Sequence, residues 1–264
     1  MACKDGSWKW VLGRGQVIQR DASGAALRMI GTFSDITQRK HTAEVLQASL
    51  RDKDALLKEV HHRVKNNLQV ITSLLRLEGR RAVEPRTRSA LADMQGRIGS
   101  MAMLHESLYR SGTFASVDLG DYLGKVVQDA YGAQANQHRS VHLRTELTAV
   151  QVSLDQALPC GLIVNELVSN CLKHGFLDDR PGEVLVELQP THTPRLWQLR
   201  VSDTGVGLPA GFAVDEQASM GLRLVGQLCQ QIDAALVVRS GPETGASFSV
   251  RFALEPLAPL VMPQ

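Results

Sequence analysis

The chain has 264 residues, 44% of them hydrophobic and 21% charged, enough apolar side chains for one large or two small domains to bury a core, which excludes a disordered or collagen-like chain. Lys and Arg number 29 against 27 for Asp and Glu, a net charge of +2, too balanced for a protein that wraps nucleic acid, so no nucleic-acid partner is expected. No apolar run approaches the roughly 18 residues of a membrane helix, and Met1-Ala2-Cys3-Lys4-Asp5-Gly6-Ser7 lacks a signal peptide's apolar stretch, so the expected setting is cytoplasmic with no membrane segment.

In chain order, Trp8-Lys9-Trp10-Val11 and Gly15-Gln16-Val17-Ile18-Gln19-Arg20 read as strand. Asp21-Ala22-Ser23-Gly24 reads as a turn, and Ala26-Leu27-Arg28-Met29-Ile30-Gly31-Thr32-Phe33 as strand again. So few strands are marginal alone, which makes this segment the end of a larger sheet domain. Asp35-Ile36-Thr37, leading from those strands into a charged helix, resembles the C-terminal end of a PAS sensor domain. The resemblance makes residues 1–37 a partial PAS β-segment and says nothing of a ligand.

From residue 38 to about 79 no Pro or Gly intervenes. Val45, Leu46, Leu50, Leu57, Val60, Val64, Leu68, Ile71 and Leu75 recur at helical spacing, which predicts one long helix. Its first part, 38–53, is read as a connecting signalling helix. Glu78-Gly79-Arg80-Arg81-Ala82-Val83-Glu84-Pro85 breaks it, and Leu91, Met94, Ile98, Met101, Leu104 and Leu108 mark a second amphipathic helix. Residues 54–112 therefore form an antiparallel hairpin. One apolar stripe per helix cannot close a core, so a homodimer through a four-helix bundle is expected.

Beyond Gly112 helices are expected near 118–131, 154–174 and 220–231. Strands are expected near 141–144, 182–188, 196–201, 236–238 and 247–250. The fold class is α+β, with a two-layer sandwich over 113–255 and a loose tail at 256–264 carrying Pro256, Pro259 and Pro263. Cys3, Cys160, Cys171 and Cys229 show no paired metal spacing and read as reduced structural thiols.

On a helical wheel with Val60 at zero, the stripe lies between about 20° and 80°, and His62 falls at about 200°, on the outer face. His61, at about 100°, lies on the shoulder of the stripe. A lone exposed histidine is ordinarily part of a solvated face. A neutral imidazole is nevertheless a good nitrogen nucleophile near pH 7, and Glu59 on the same side could hold its tautomer. Between Arg51 and Arg88 ten basic residues stand against five acidic ones, a surplus that suits an acidic partner but is itself weak evidence.

At these residues Leu57-Lys58-Glu59-Val60-His61-His62-Arg63-Val64-Lys65-Asn66-Asn67-Leu68-Gln69 resembles the phosphoacceptor box of the HWE-related subclass of sensor histidine kinases. The resemblance implies that His62, which precedes Arg, accepts a phosphoryl group. Arg63 stands where an acidic residue follows the acceptor in the more common pattern.

No Walker loop and no G-x-G-x-x-G between strand and helix is present. Instead, Leu162-Ile163-Val164-Asn165-Glu166-Leu167-Val168-Ser169-Asn170-Cys171-Leu172-Lys173-His174 places Glu166, Asn170, Lys173 and His174 on one face of a continuous helix. A hard amide oxygen, a carboxylate and two potential cations can hold Mg²⁺ and phosphate, although such a face is more often merely solvated. Val201-Ser202-Asp203-Thr204-Gly205-Val206-Gly207-Leu208-Pro209 ends a strand in a carboxylate that can accept from an adenine amino group. Ser219-Met220-Gly221-Leu222-Arg223-Leu224-Val225 opens a helix with free amides, and Glu243-Thr244-Gly245-Ala246-Ser247-Phe248 enters a strand.

That order of four motifs resembles the GHKL ATPase fold over roughly 113–254. By resemblance Asn170 ligates Mg²⁺, Glu166 is the nearby carboxylate, and Glu166 and Lys173 join His62 as catalytic residues. Asp203 reads adenine. His174, Gly205, Gly207, Gly221, Leu222, Thr244 and Gly245 complete the nucleotide site, and a short lid containing Phe212 spans 208–220. The function implied is an ATP-dependent histidine kinase using Mg²⁺ and passing phosphate to an aspartate of a separate response regulator. An ATP-binding dimeric scaffold or response-regulator phosphatase with little kinase activity is the alternative. A GHKL ATPase of the chaperone or DNA-repair kind comes third, because it would not require the His box.

Overall fold

The computed structural model describes residues 1–4, 6–111, 116–134, 140–176, 180–209, 220–241 and 244–256. They form two compact units, Met1–Glu59 and Val60–Gln264. In the first, β1 (Val11–Arg20) and β2 (Ala26–Asp35) pair antiparallel, with Val11 opposite Asp35 and Arg20 opposite Ala26. Asp21 builds the turn: its Oδ1 accepts from the Ser23 and Ala25 amides, both at 2.9 Å, and from the Ser23 hydroxyl at 2.6 Å.

At the other end of the hairpin, Asp35 accepts from Lys9 Nζ at 2.8 Å and from the Thr37 amide at 3.0 Å, while Thr37 Oγ1 accepts from the Trp10 amide at 2.9 Å. These bonds, Lys9 foremost, hold the Asp35 carboxyl below the usual carboxylate range. Asp35-Ile36-Thr37 is thus a hydrogen-bonded joint that ends β2 and opens α1 (Thr37–Arg81).

Helix α2 (Pro85–Ser111) follows after a three-residue break at 82–84. Pro85 stands at the first helical position, where its missing N–H is not needed. In the second unit α2 packs on α3 (Leu119–Gly132) and α4 (Leu154–Asn170). α4 opens on Ser153, whose side chain accepts from the Gln156 amide at 3.3 Å.

The main sheet runs in the order β4 (Val141–Leu147), β6 (Gly182–Pro190), β7 (Leu196–Asp203), β9 (Gly245–Ala253), β8 (Ala235–Gly241). β4 and β6 are parallel and the other pairs antiparallel. α5 (Met220–Gln231) precedes β8. Leu199, Val201 and Asp203 on β7, with Ala246, Phe248 and Val250 on β9, are buried at alternate positions, the pattern of a sheet covered on one face. A helical hairpin followed by a two-layer sandwich is therefore the architecture, as expected. The two-residue pair β3 (Val117–Asp118) and β5 (Gln151–Val152) is an addition to it. None of the described helices is long and apolar enough to cross a membrane.

Where α3 meets α4 the backbone approach is close. Tyr122, fully buried, donates its hydroxyl to the Ser100 carbonyl at 3.1 Å, and a Cβ on Gly161 would lie 2.0 Å from that hydroxyl oxygen. Gly161→Ala should cost about 1–3 kcal/mol, the usual range for overpacking a core. An unchanged urea midpoint would show that the ring can step aside.

Candidate functional site

His62 is exposed, as the helical wheel predicts, and Asn66 one turn later places its amide nitrogen 3.3 Å from His62 Nδ1. Turning that amide over presents its oxygen to an Nδ1–H instead and leaves the Nε2 lone pair facing outward. His61 is half-buried and turns to the seam, where its Nδ1 lies 3.0 Å from Nδ1 of His105 on α2, the rings tilted by 44°. Two facing ring nitrogens at that separation share one proton. Burial, and then His61, make His105 less basic than a free imidazole. Two adjacent histidines thus have different surroundings, one held between helices and one presented to solvent.

The stripe predicted for α1 is split. Leu57, Val64, Leu68 and Leu75 are partly buried, while Val60 and Ile71 are exposed together with Leu56, Val70, Leu74 and Leu77.

Helix α4 does not run to His174. It ends at Asn170, and Cys171–Gly175 is a π-helical turn, so the single α-helical face expected for Glu166, Asn170, Lys173 and His174 is interrupted after Asn170. The wider turn breaks the i, i+7, i+8 relation. Lys173 pairs with Asp93 of α2, and His174 is exposed. Glu166, 5% exposed, accepts a fork from Arg97 of α2, at 2.8 Å from Nε and 3.0 Å from the second guanidinium nitrogen. Neither Asp93 nor Arg97 was legible as part of the site, because both lie on a distant helix whose apolar spacing alone had been informative. The Asn170 side-chain nitrogen is buried with no hydrogen-bond partner among the described residues.

Asp203 closes the other wall. It is 5% exposed, and its Oδ1 accepts from the Gly205 amide at 2.8 Å and the Ala246 amide at 3.3 Å. Burial and the Asp203 carboxylate push the Cys171 thiol far up, and Cys160 and Cys229 are raised by burial to about 12 and about 11. Glycines permit the convergence. A Cβ on Gly245 would lie 1.9 Å from the Asp203 carbonyl oxygen, one on Gly205 2.2 Å from the Gly175 carbonyl oxygen, and one on Gly221 2.6 Å from Glu166 Oε2. Gly207 and Gly245 also have φ of +74° and +69°.

The Leu222 side chain belongs to the core, so only its backbone can face a ligand. Thr244 is exposed, its amide donating to the Gly241 carbonyl at 3.2 Å. Phe212 and lid positions 210–219, Glu243, the Leu108 side chain and the tail beyond 256 lie outside the described residues.

Gly221 is therefore brought against Glu166 and Asn170, and Gly205 and Gly245 are brought round Asp203, with the π-helical turn that ends in Gly175 running from Asn170 to Asp203. They offer carboxylates, an amide nitrogen unpartnered among the described residues and backbone left bare by missing side chains, chemistry suited to a ligand with a polar flat ring and anionic groups.

Gly245→Ala, meeting both a left-handed φ and the Asp203 carbonyl, should abolish ligand uptake in a nucleotide-binding titration; retained affinity would place the ligand elsewhere. Because His105 is less basic when folded, the unfolded chain binds more protons just below its ordinary pKa of about 6.5, so stability is full above that pH and falls as pH drops below it. The urea midpoint should decrease from about pH 7.5 to 5.5, and His105→Gln should flatten that decrease. A midpoint rising on acidification would contradict the assignment.

Comparison with known proteins bears on both halves of the second unit. A family model described as histidine kinase matches residues 59–134, and one described as histidine kinase-, DNA gyrase B-, and HSP90-like ATPase matches residues 155–256. Sensor histidine kinase PdtaS of Mycobacterium tuberculosis (strain CDC 1551 / Oshkosh) is 30% identical over 254 residues, covering 90% of this chain and 49% of that protein. Blue-light-activated histidine kinase 2 of Erythrobacter litoralis (strain HTCC2594) is 29% identical over 197 residues, covering 71% of this chain and 54% of that protein. The chain spans about half the length of the curated relatives it matches. Among solved structures, the histidine kinase domain of the Erythrobacter litoralis EL346 blue-light activated histidine kinase aligns with a TM-score of 0.58 and 26% identity, over 77% of this chain and 96% of that one.

Proposed function

We propose that this chain, with its histidine kinase hairpin and GHKL-type ATPase domain, is an ATP-dependent protein histidine kinase of a two-component system, phosphorylated on His62. The observation that carries the reading is an outward-facing imidazole on the hairpin in a chain whose ATPase domain gathers Gly205 and Gly245 round the buried Asp203. In the reaction, a ring nitrogen of His62 forms a bond to the γ-phosphorus as the bond to the β,γ-bridging oxygen breaks, releasing ADP. The ring proton passes to water. Asn66 holds the tautomer by accepting from Nδ1–H, the task first considered for Glu59. Phosphohistidine then passes its group to an aspartate in the receiver domain of a separate response regulator.

In the same reading Asp203 accepts from the adenine amino group, Gly205, Gly207 and Gly245 let the backbone reach the base, and amides at Gly221 and Leu222 meet phosphate. His174 and Thr244 border that site. Lys173 is a point charge for phosphate and Glu166 the nearby carboxylate. The residues present fit Mg²⁺: Asn170 has a hard amide oxygen, its nitrogen is without a partner among the described residues, and a carboxylate lies one turn earlier. When bound, the ion neutralises charge on the transferring group.

We assign 1–37 to a partial PAS segment, 38–53 to a signalling helix, 54–112 to the phosphotransfer hairpin, 113–255 to the ATPase domain and 256–264 to a tail. We assign the hairpin to the HWE-related subclass because the box around His62 resembles the phosphoacceptor box of that subclass. The exposed Leu56, Val60, Val70, Ile71, Leu74 and Leu77 on α1 support homodimerisation through the hairpin.

His62→Gln should abolish acid-labile ³²P incorporation from γ-labelled ATP while nucleotide binding persists. Label remaining in that variant would move the acceptor to His61, and nucleotide binding by the unaltered protein without labelling would favour the scaffold or phosphatase alternative. In mixed dimers of His62→Gln and Asn170→Ala chains, label on the Asn170→Ala chain means transfer between protomers, and its absence means transfer within one.

A further inference from the structure

His61 and His62 are the same nucleophile twice over, and imidazole chemistry alone prefers neither. Adjacent residues of an α-helix point about 100° apart, so turning α1 by that angle about its own axis would exchange their surroundings. Two contacts with α2 oppose the turn. His61 Nδ1 lies 3.0 Å from His105 Nδ1, and one turn on, Lys65 Nζ donates to Glu106 Oε2 at 2.9 Å. The same spacing repeats on the outer side, where the exposed Asn66 stands 3.3 Å from Nδ1 of the exposed His62. The two contacts are not equal. Lys65 and Glu106 have side chains 29% and 40% exposed, and ion pairs so open to water hold little. The histidine pair does more than set an angle. Two neutral rings meeting through Nδ1 must take complementary tautomers, one donating and one accepting. His61 can therefore meet a phosphoryl group only by giving up that bond and leaving the seam.

We infer that His105 is a positioning residue for acceptor choice: by holding His61 in the seam it makes His62 the sole acceptor of two adjacent and chemically equal histidines. The inference rests on the kinase reading, and deepens it by giving the choice of acceptor to a side chain 44 residues from His61 on the other helix. Without His105 the His61 ring is released. Either ring can then form the bond to the γ-phosphorus as the bond to the β,γ-bridging oxygen breaks, with ADP leaving and the ring proton passing to water.

The test has two arms. The first starts from His62→Gln, which should stay unlabelled by γ-³²P-ATP while His105 is in place. Adding His105→Phe, which keeps a ring but has no nitrogen, should bring acid-labile label back, and adding His61→Gln as well should remove it again. His105→Asn, whose amide stands where Nδ1 stood, should hold labelling at least about fivefold below the His105→Phe rate, a factor of the size one net hydrogen bond supplies. A merely structural role for His105 predicts loss of label, never a new site of it. His105→Ala carries this arm if the phenylalanine variant does not fold.

The second arm needs no nucleotide. In the unaltered chain diethyl pyrocarbonate should acylate His61 at least about fivefold more slowly than His62, read by tandem mass spectrometry of the peptide that carries both, and His105→Phe or His105→Ala should close the gap. Equal acylation in the unaltered chain, or a gap that survives the loss of His105, overturns the role of His105 alone. So does label on His62→Gln with His105 intact, or its absence from the folded double variants when the unaltered chain is labelled. Unequal acylation with no label on the unaltered chain overturns the kinase reading beneath it.

Discussion

The carboxylate of Asp203 is the point on which the glycine turns of the sandwich are assembled. It ends β7, and its Oδ1 gathers backbone amides from the following turn and from the start of β9. The turn after it is tied in turn to the π-helical segment, where the Val206 amide donates to the Gly175 carbonyl at 2.9 Å. Leu208 and Gly245 are joined through the Ser240 hydroxyl, at 2.6 and 3.2 Å. Three chain segments far apart in sequence thus converge within hydrogen-bonding distance, which side chains at Gly205 or Gly245 would prevent. A buried carboxylate is tolerable because these donors replace the water it has lost.

The helix opposite obeys a different constraint. Glu166 is buried on α4, and burying an isolated carboxylate is costly, so Arg97 supplies its compensation from α2. Such a pair contributes little net stability compared with an apolar contact of the same size, but removing one partner leaves the other charge stranded, at a cost of about 3–5 kcal/mol. The pair therefore fixes which part of α2 lies on α4 more than it holds the unit together. Tyr122 and the surrounding aliphatic side chains do the latter.

Much of this was readable from periodicity and from ordered motifs. The break before Pro85, the strands of the main sheet and the outward placement of His62 all follow from spacing. Three features did not, each for a physical reason. β3 and β5 are two residues each, too short for alternation to show. The π turn at Cys171–Gly175 arises inside a stretch whose apolar residues are buried nearly all round, so no stripe existed from which a change of pitch could be read. Asp93 and Arg97 meet their partners 80 and 69 residues away, and ionic side chains on a surface helix look alike whether they face water or another helix. The polar turn Asp35-Ile36-Thr37 was visible as a junction, while its internal bonding was not.

The distribution of sulfur has a practical outcome. Cys160, Cys171 and Cys229 are buried and strongly disfavour the thiolate, whereas Cys3 is only partly covered. Reactivity toward electrophiles depends on thiolate and access together. The sandwich is consequently a blank background for maleimide dyes, and a fluorophore introduced at a chosen surface position would report from that position once the single reactive thiol near the N-terminus is replaced.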